Sequence, residues 1–350
     1  MPYLDEVVFD VIEDPEVLLL RVANGEIDMH ARHINTDTNK PVLAENRESG
    51  GYEFFDIVPA NMNTVIFALN MTHKNPEMRE IFGNHDFRVG LSHAINRQEI
   101  IDVIFVSQGE PWQLCPRTET PWFDEELAKQ YTEFDADLAN EHLDRVLPDK
   151  DGNGMRLTAA GEPFTFVVEV TADQLEHLDT SNLVIQYWNA VGINASLNPV
   201  DRALLYTRKA ANEHDCVVWQ GGGGSNDAIL DPRWYLPANN ESNWAIAWYV
   251  WYAQPSNPQA EAMEPPDYIK EQFRLYDEVQ STADPAMQNE LFRQVLAIAK
   301  ETFNGIGVSL PALEYGIKKV NLKNVPAVMP GAFLYPNPAP TRPETYFYET

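Results

Sequence analysis

DFRVGLSHAINRQEIIDVIFVSQGEPW, residues 86–112, is the stretch that decides the fold of this 350-residue chain. Asp86 stands where a helix N-cap is expected, and Gly109 and Pro111 end the run. The apolar residues recur at the spacing of a helix with one buried face: Val89, Leu91, Ala94, Ile95, Ile100, Ile101, Ile104 and Phe105. The pattern therefore predicts one capped helix packed on a core. Four polar residues are expected outside the buried stripe or at its edge: Arg88, Asn96, Arg97 and Glu99.

This stretch resembles the signature helix of family 5 extracellular solute-binding proteins, the large peptide, nickel and oligosaccharide receptors of bacterial ABC importers. The resemblance rests on Asp-Phe-Arg-Val, then Leu-Ser-His-Ala-Ile-Asn-Arg-Gln-Glu-Ile, then a Gly-x-Pro exit, placed just after a strand-like segment. It implies an α/β, periplasmic-binding-protein-like fold of type II, in the large cluster C. In that fold two lobes close on a ligand about a hinge.

The order of predicted elements places this chain in the later part of such a receptor. Residues 3–13 read as a strand covered on both faces, and the following Gly25-Glu-Ile-Asp resembles an element from the middle of the first lobe. The chain is therefore expected to lack an opening segment. We expect residues 1–72 to be a remnant of lobe I, residues 73–305 to be a complete lobe II, and residues 306–350 to return to lobe I. Asn70 begins a polar break that is a candidate hinge.

Composition limits the classes of partner. Lysine and arginine total 25 against 53 acids, a net charge of −28, which disfavours nucleic acid and an anionic membrane surface. Cys115 and Cys216 form no CxxC pair, and no run of 18 apolar residues predicts membrane insertion. The opening residues do not read as a signal peptide. The resemblance nevertheless implies a periplasmic or extracellular location for the full-length form and ABC permease membrane subunits as partners.

A glycine turn at residues 221–224 follows a predicted buried strand, residues 215–219. It lacks the lysine of a Walker loop, and Asn226 breaks the GxGxxG pattern, so a nucleotide site is disfavoured. Ligands bind at the carboxyl ends of strands in open α/β sheets, where glycines permit close approach to the backbone. The predicted ligand-binding residues are these: Trp219, Gly221, Gly222, Gly223, Asn226, Asp227, Trp112, Trp248 and Asn70.

The ligand class follows from a departure from the family pattern. Peptide-binding members carry, three residues after this tryptophan, an aspartate that pairs with the peptide amino terminus. Gly222 stands there, and Asp227 comes later. A cation-free, tryptophan-lined cleft predicts an oligosaccharide-type solute, with an oligopeptide or opine as the alternative. A glycoside hydrolase is the alternative of another class, but neither HExxH nor GxSxG is present and no catalytic residue is predicted.

Residues 149–154, DKDGNG, resemble the first half of a calcium loop. Asp149, Asp151 and Asn153 fit its first, third and fifth positions, and Gly154 fits the sharp turn. Ala160 occupies the twelfth position, where a bidentate glutamate is required. The segment therefore predicts either a calcium site or a polar turn between a helix and a strand, and no other cofactor is predicted.

Overall fold

The computed structural model describes residues 2–36, 38–257, 261–332 and 335–349. The chain divides into two compact units: a first unit of Met1–Ala60 and Ala312–Thr350, and a second unit of Asn61–Pro311. These boundaries differ from those predicted at residues 72 and 305. Residues 61–72 belong to the second unit because they carry a strand in the middle of its sheet.

The secondary structure contains both helices and strands, as the α/β class requires. The helices are Pro15–Ala23 (α1), Lys40–Glu45 (α2), Arg47–Gly50 (α3), Pro76–Gly83 (α4), His85–His93 (α5), Arg97–Val103 (α6), Glu125–Lys129 (α7), Ala136–Asp144 (α8), Leu175–Ala190 (α9), Arg202–Ala210 (α10), Ile246–Ala253 (α11), Asp267–Ser281 (α12) and Pro285–Thr302 (α13). The strands are Met29–His30 (β1), Tyr52–Val58 (β2), Asn63–Leu69 (β3), Glu110–Pro111 (β4), Thr165–Thr171 (β5), Asn194–Val200 (β6), Cys216–Gly221 (β7), Ile306–Gly307 (β8), Ser309–Leu310 (β9), Glu314–Lys319 (β10), Leu322–Lys323 (β11), Val328–Pro330 (β12) and Phe347–Tyr348 (β13).

The second unit is built on a five-stranded sheet of order β6-β5-β7-β3-β8. Strand β5 pairs in parallel with β6 and β7, whereas β3 pairs antiparallel with β7 and β8. The three parallel strands therefore end together, near Thr171, Val200 and Gly221, and we call this side of the sheet the carboxyl edge. Strand β3 begins at the same edge because Asn63 lies opposite Gly221.

Strand β3 separates two hydrophobic cores. Val65, Phe67 and Leu69 pack into one core, while Ile66 and Ala68 pack into the other. This alternation is the period-two pattern of a strand that is covered on both faces. Helices α5, α6, α8 and α9 contribute to the first core, and α11, α12 and α13 contribute to the second.

The stretch predicted as one helix forms two. Asn84 caps α5 by accepting a hydrogen bond from the Asp86 amide at 2.9 Å, and Asn96 caps α6 by accepting from the Glu99 amide at 3.2 Å. The prediction that Asp86 is the N-cap is therefore wrong: its carboxylate instead binds the His142 imidazole at 2.6 Å. The second asparagine allows a new helix start inside an uninterrupted apolar pattern.

Two of the polar residues expected outside the stripe are in fact buried. Arg88 is 2% exposed and Arg97 is 1% exposed, and burial lowers the pKa of both guanidinium groups, to about 10 and about 9. Arg97 donates to the carbonyls of Gly307 and Ser92, each at 2.9 Å. Both arginines thus serve as internal hydrogen-bond donors to the main chain.

The first unit contains a four-stranded sheet of order β1-β10-β2-β12. The predicted strand at residues 3–13 is not formed, and Val7, Phe9 and Val11 are exposed. A strand requires a hydrogen-bonded neighbour, and none of the described segments pairs with this one along its length. It is attached at a few points, which include the Tyr3 amide, the Asp10 carboxylate and the Ile12 side chain.

None of the helices within the described ranges combines the length and the hydrophobicity that crossing a bilayer requires.

Candidate functional site

The predicted glycine turn lies at the carboxyl edge of the second unit, directly after β7. Trp219 is half-buried near the end of that strand, Gly222 is partly exposed and Asn226 is exposed. Side chains here sit where open α/β sheets present ligand-contacting groups. The structure therefore brings Trp219, Gly221–Gly223, Asn226 and Asp227 to one edge, as one continuous segment.

Three of the glycines are required by packing within the protein. A Cβ on Gly224 would lie 2.3 Å from the Met62 amide nitrogen, and one on Gly221 would lie 3.0 Å from the Asn63 nitrogen. Gly223 has φ +78°, and a Cβ there would approach the Asp231 carbonyl oxygen to 2.7 Å. The prediction that glycines allow a ligand to approach the backbone therefore does not apply to these three positions. Gly222, which is partly exposed, is the one glycine of the turn to which it can still apply.

Side chains from neighbouring segments fix the turn. The buried Tyr235 hydroxyl donates to the Gly223 carbonyl at 2.9 Å, and the Arg117 amide donates to the Gly224 carbonyl at 2.8 Å. The Arg117 guanidinium also donates to the Asn61 carbonyl at 3.2 Å, two residues before β3 begins at this edge. The turn is thus pre-organised and needs no ligand to order it.

Asp227 faces its own turn. It is 6% exposed, and its carboxylate accepts a hydrogen bond from the Ser225 amide at 3.2 Å. Burial raises the pKa of this carboxyl, and the hydrogen bond from the Ser225 amide opposes that shift only in part. Asp227 therefore acts as a turn cap, which does not match the ligand-contacting role predicted for it.

Trp219 is surrounded by polar and aromatic groups that the sequence reading did not identify. The Arg202 guanidinium lies over the indole ring, 5.3 Å from its centre, and the Tyr206 ring meets it edge-on at 6.0 Å. Arg202 also pairs with Asp173 at 3.3 Å. The expectation of a cation-free cleft is therefore wrong at its principal tryptophan.

The position of these missed residues could have been found from the sequence. Asp173 lies two residues after β5, and Arg202 lies two residues after β6. The rule that ligand sites collect at the carboxyl ends of parallel strands applies to β5 and β6 as well as to β7. The signal for this position is its place just after a strand, because the residue types around Arg202 do not by themselves indicate a site.

Trp112 is a core residue. It is 1% exposed, its indole N–H donates to the Cys115 carbonyl at 3.1 Å, and its ring stacks on Phe123 at 5.7 Å. The Lys129 ammonium covers the ring from 4.6 Å. Trp112 is therefore enclosed by the protein's own side chains, and its predicted place in the ligand site is not supported.

Asn70 and Trp248 lie at the opposite edge of the sheet. Asn70 follows the far end of β3, roughly 20 Å from Gly221 at about 3.3 Å per residue. It is fully buried, and its amide donates to the His214 carbonyl at 2.9 Å. Trp248 is 7% exposed and borders an open groove of about 570 Å³ with Met71 and Tyr268. The predicted set is thus split between two edges.

The Asn70 network predicts a pH-dependent stability. Burial lowers the pKa of His214 to about 4, and its Nε2–H donates to the Asn243 carbonyl at 2.7 Å. Because the unfolded pKa is about 6.5, the unfolded chain binds the extra proton. The stabilisation from this neutral imidazole is complete above about pH 6.5 and is lost towards pH 4, at about 1.4 kcal/mol per pH unit.

Urea unfolding between pH 4 and pH 7 tests this expectation. His214→Gln keeps an amide that can donate to Asn243 and should flatten the slope by about one proton. His33→Asn, at an exposed residue whose φ of 63° asparagine tolerates, is the control and should retain the slope. Equal slopes in His214→Gln and the unchanged chain would contradict the assignment.

Residues 149–154 form a polar turn. The Asp151 carboxylate accepts hydrogen bonds from the amides of Asn153 and Met155, at 2.8 and 2.9 Å. Within the described ranges no three histidine, cysteine, aspartate or glutamate side chains converge as a metal site. Calcium at Asp149, Asp151 and Asn153 stays a prediction.

Comparison with known proteins identifies the chain's relatives. The profile described as "Bacterial extracellular solute-binding proteins, family 5 Middle" matches residues 1–260. Di/tripeptide-binding protein 1 of Pseudomonas aeruginosa (strain UCBPP-PA14) is 24% identical over 309 residues, which are 85% of this chain and 48% of that protein. The chain thus spans about half the length of the curated relatives it matches.

Solved structures of solute-binding proteins also match this chain. An oligopeptide-binding protein OppA is 31% identical, with a TM-score of 0.81 over 97% of this chain and 56% of that one. The fold also matches MelB (Atu4661) of Agrobacterium fabrum C58, solved in complex with stachyose, with a TM-score of 0.74, 15% identity, and coverage of 97% and 51%. The profile covers well over half of the residues, and the chain belongs to family 5 of the bacterial extracellular solute-binding proteins.

Proposed function

We propose that this chain is part of the solute-binding component of a bacterial ABC importer, and that it captures an oligosaccharide-type solute without transforming it. Its partners would be the solute and the permease subunits of the importer, in the periplasm or outside the cell. The second unit would be the lobe that supplies the solute-contacting tryptophan.

The observation that carries this proposal is Trp219, half-buried at the carboxyl edge beside a turn whose conformation is already fixed. An indole at such a position offers an apolar face to a sugar ring, while backbone and amide groups nearby can take hydroxyls. The partly exposed Gly222 brings no carboxylate to the turn, and the Asp227 carboxylate is engaged by the Ser225 amide. A free peptide amino terminus would therefore lack its pairing group at these two positions.

An oligopeptide is the second candidate. It is favoured by the names of the relatives, which include an oligopeptide-binding protein that is 31% identical to this chain. A glycoside hydrolase is the candidate of another class, which would require two carboxylates placed on either side of a scissile bond. The three candidates differ in which ligands bind and in whether product forms.

Isothermal titration of the 350-residue chain against neutral oligosaccharides and against oligopeptides tests the proposal. We expect saturable binding of an oligosaccharide and about 10- to 100-fold weaker binding by Trp219→Ala, because stacking on an indole is lost. Trp251→Ala is the matched control. Trp251 is also half-buried and its ring centre lies 5.9 Å from the Lys270 ammonium, but it is on α11 and not at the end of β7.

The other outcomes are distinct. Binding of peptides alone would replace the proposed ligand by the second candidate. Release of a chromophore from a nitrophenyl glycoside by this chain, with no release by a mock preparation, would establish the enzyme. Equal affinity for Trp219→Ala and Trp251→Ala would overturn the site.

A further inference from the structure

Two oppositely charged pairs lie beside the aromatic rings of Trp219 and Tyr206, a third is joined to one of them through Arg233 and Glu241, and the three differ in how firmly they are held. Lys209 pairs with Glu241 at 2.9 Å with side chains 6% and 20% exposed, and its ammonium lies 4.1 Å from the Tyr206 ring centre. Arg233 binds Asp231 through Nε at 2.9 and 2.8 Å. The third pair is Arg202 with Asp173.

The Arg202–Asp173 pair is the one that a ligand can exchange. Its side chains are 50% and 61% exposed, against 24% and 14% for Arg233 and Asp231. Its single contact is 3.3 Å long, between Nη2 and Oδ2. Exposed pairs of this kind are weak, so replacing Asp173 by another carboxylate costs little.

Arg202 lies where a ligand bound at Trp219 can contact its guanidinium. Its guanidinium lies over the Trp219 ring, so a ligand that reaches the indole also reaches the cation. A guanidinium binds carboxylates in a planar, two-pronged geometry and stacks on aromatic rings at the same time. Helices α9 and α10 both begin at this edge, and the positive ends of their dipoles favour an anion there as well.

The net charge of the chain makes this local arrangement selective. With 53 acids against 25 basic residues, the molecule as a whole repels anions. A cation held against the candidate ligand-binding tryptophan is therefore poorly explained by general attraction. Its one charged partner among the residues that the structure describes is the exposed Asp173.

We propose that the solute is an acidic oligosaccharide, in which one sugar ring lies against Trp219 and its carboxylate replaces Asp173 on Arg202. The proposal rests on the function proposed above and narrows its substrate class. No covalent step is involved. Asp173 competes with the ligand carboxylate for the same guanidinium.

Titration of the 350-residue chain with trigalacturonate and with its fully methyl-esterified form tests this inference, because the two ligands share rings and differ in charge. We expect trigalacturonate to bind about 10- to 100-fold more tightly than the ester. Arg202→Gln should remove that preference. Asp173→Asn should tighten trigalacturonate binding, because the competitor is gone. Arg274→Gln, an exposed arginine on α12 with the same charge change, should alter neither ligand.

The failures of the two proposals are distinguishable. Equal or tighter binding of the ester, sensitive to Trp219→Ala but not to Arg202→Gln, would overturn the acidic ligand and keep the oligosaccharide receptor. If neither sugar nor any other uronate oligomer binds while trialanine does, the proposed function fails and this inference fails with it. An equal loss in Arg202→Gln and Arg274→Gln would reduce the effect to net charge and overturn the site.

Discussion

Replacing Arg88 by methionine is expected to lower the free energy of unfolding by about 3–5 kcal/mol. The guanidinium donates to four carbonyls: Phe303 at 2.8 Å, Phe82 at 2.7 Å, Thr302 at 2.7 Å and Asn84 at 3.1 Å. Two of them belong to the end of α13, where carbonyls have no partner inside the helix. Methionine would fill the volume but leave these main-chain acceptors buried without donors.

This case differs from buried ion pairs that can be replaced by apolar residues without loss. There both charged partners are removed, whereas carbonyls cannot be removed by mutation. Urea unfolding at pH 7 measures the change. Arg88→Lys should recover only part of the lost stability, because an ammonium donates to fewer of the four carbonyls. Arg293→Met, at an exposed site on α13, should leave the urea midpoint unchanged. An Arg88→Met variant as stable as the unchanged chain would show that the carbonyls find other donors.

Replacing Gly224 by alanine is expected to cost roughly 3 kcal/mol of stability and to weaken solute binding as well. The new Cβ would fall 2.3 Å from the amide nitrogen and 2.6 Å from the Cα of Met62. Both are main-chain atoms, so the contact cannot be relieved by turning a side chain. The turn would have to separate from the start of β3, where the Met62 amide donates to the Gly221 carbonyl at 2.7 Å.

Gly83→Ala is the matched control, because its Cβ would meet no atom within 4 Å and its φ is not in the left-handed region. Thermal unfolding and titration with the same solute should be carried out on both variants. We expect Gly224→Ala to lose stability and affinity together, and Gly83→Ala to keep both. Loss of stability with full affinity in Gly224→Ala would mean that the turn does not shape the solute site.

The elements with a strong local signal were predictable. Helix α13, Pro285–Thr302, is such an element, because its apolar stripe is regular and Asp284 caps it by accepting a hydrogen bond from the Ala286 amide at 2.9 Å. The stretch at residues 86–112 likewise indicated the α/β class, through its resemblance to family 5 receptors. In both cases the information lies within a few residues along the chain.

What could not be predicted depends on partners distant in sequence. Nothing local says that Arg88 reaches Thr302 and Phe303, since charged residues at the border of a stripe are usually solvated. Residues 3–13 carry a strand pattern, yet pattern alone supplies no neighbouring strand. At the site, tryptophans were chosen by type, and burial then separated Trp219 from Trp112 and Trp248. Aromatic residues serve cores and binding surfaces equally well.

Strand β3 has a consequence for how the second unit comes apart. Because alternate side chains of one strand enter opposite cores, neither core can lose its order while the other keeps an intact wall. We therefore expect the two cores to unfold as a single cooperative unit, and the amide hydrogens of β3 to exchange with solvent only when that whole unit opens. The candidate solute site adjoins the start of this strand, where Asn63 lies opposite Gly221, so we expect it to open together with that strand.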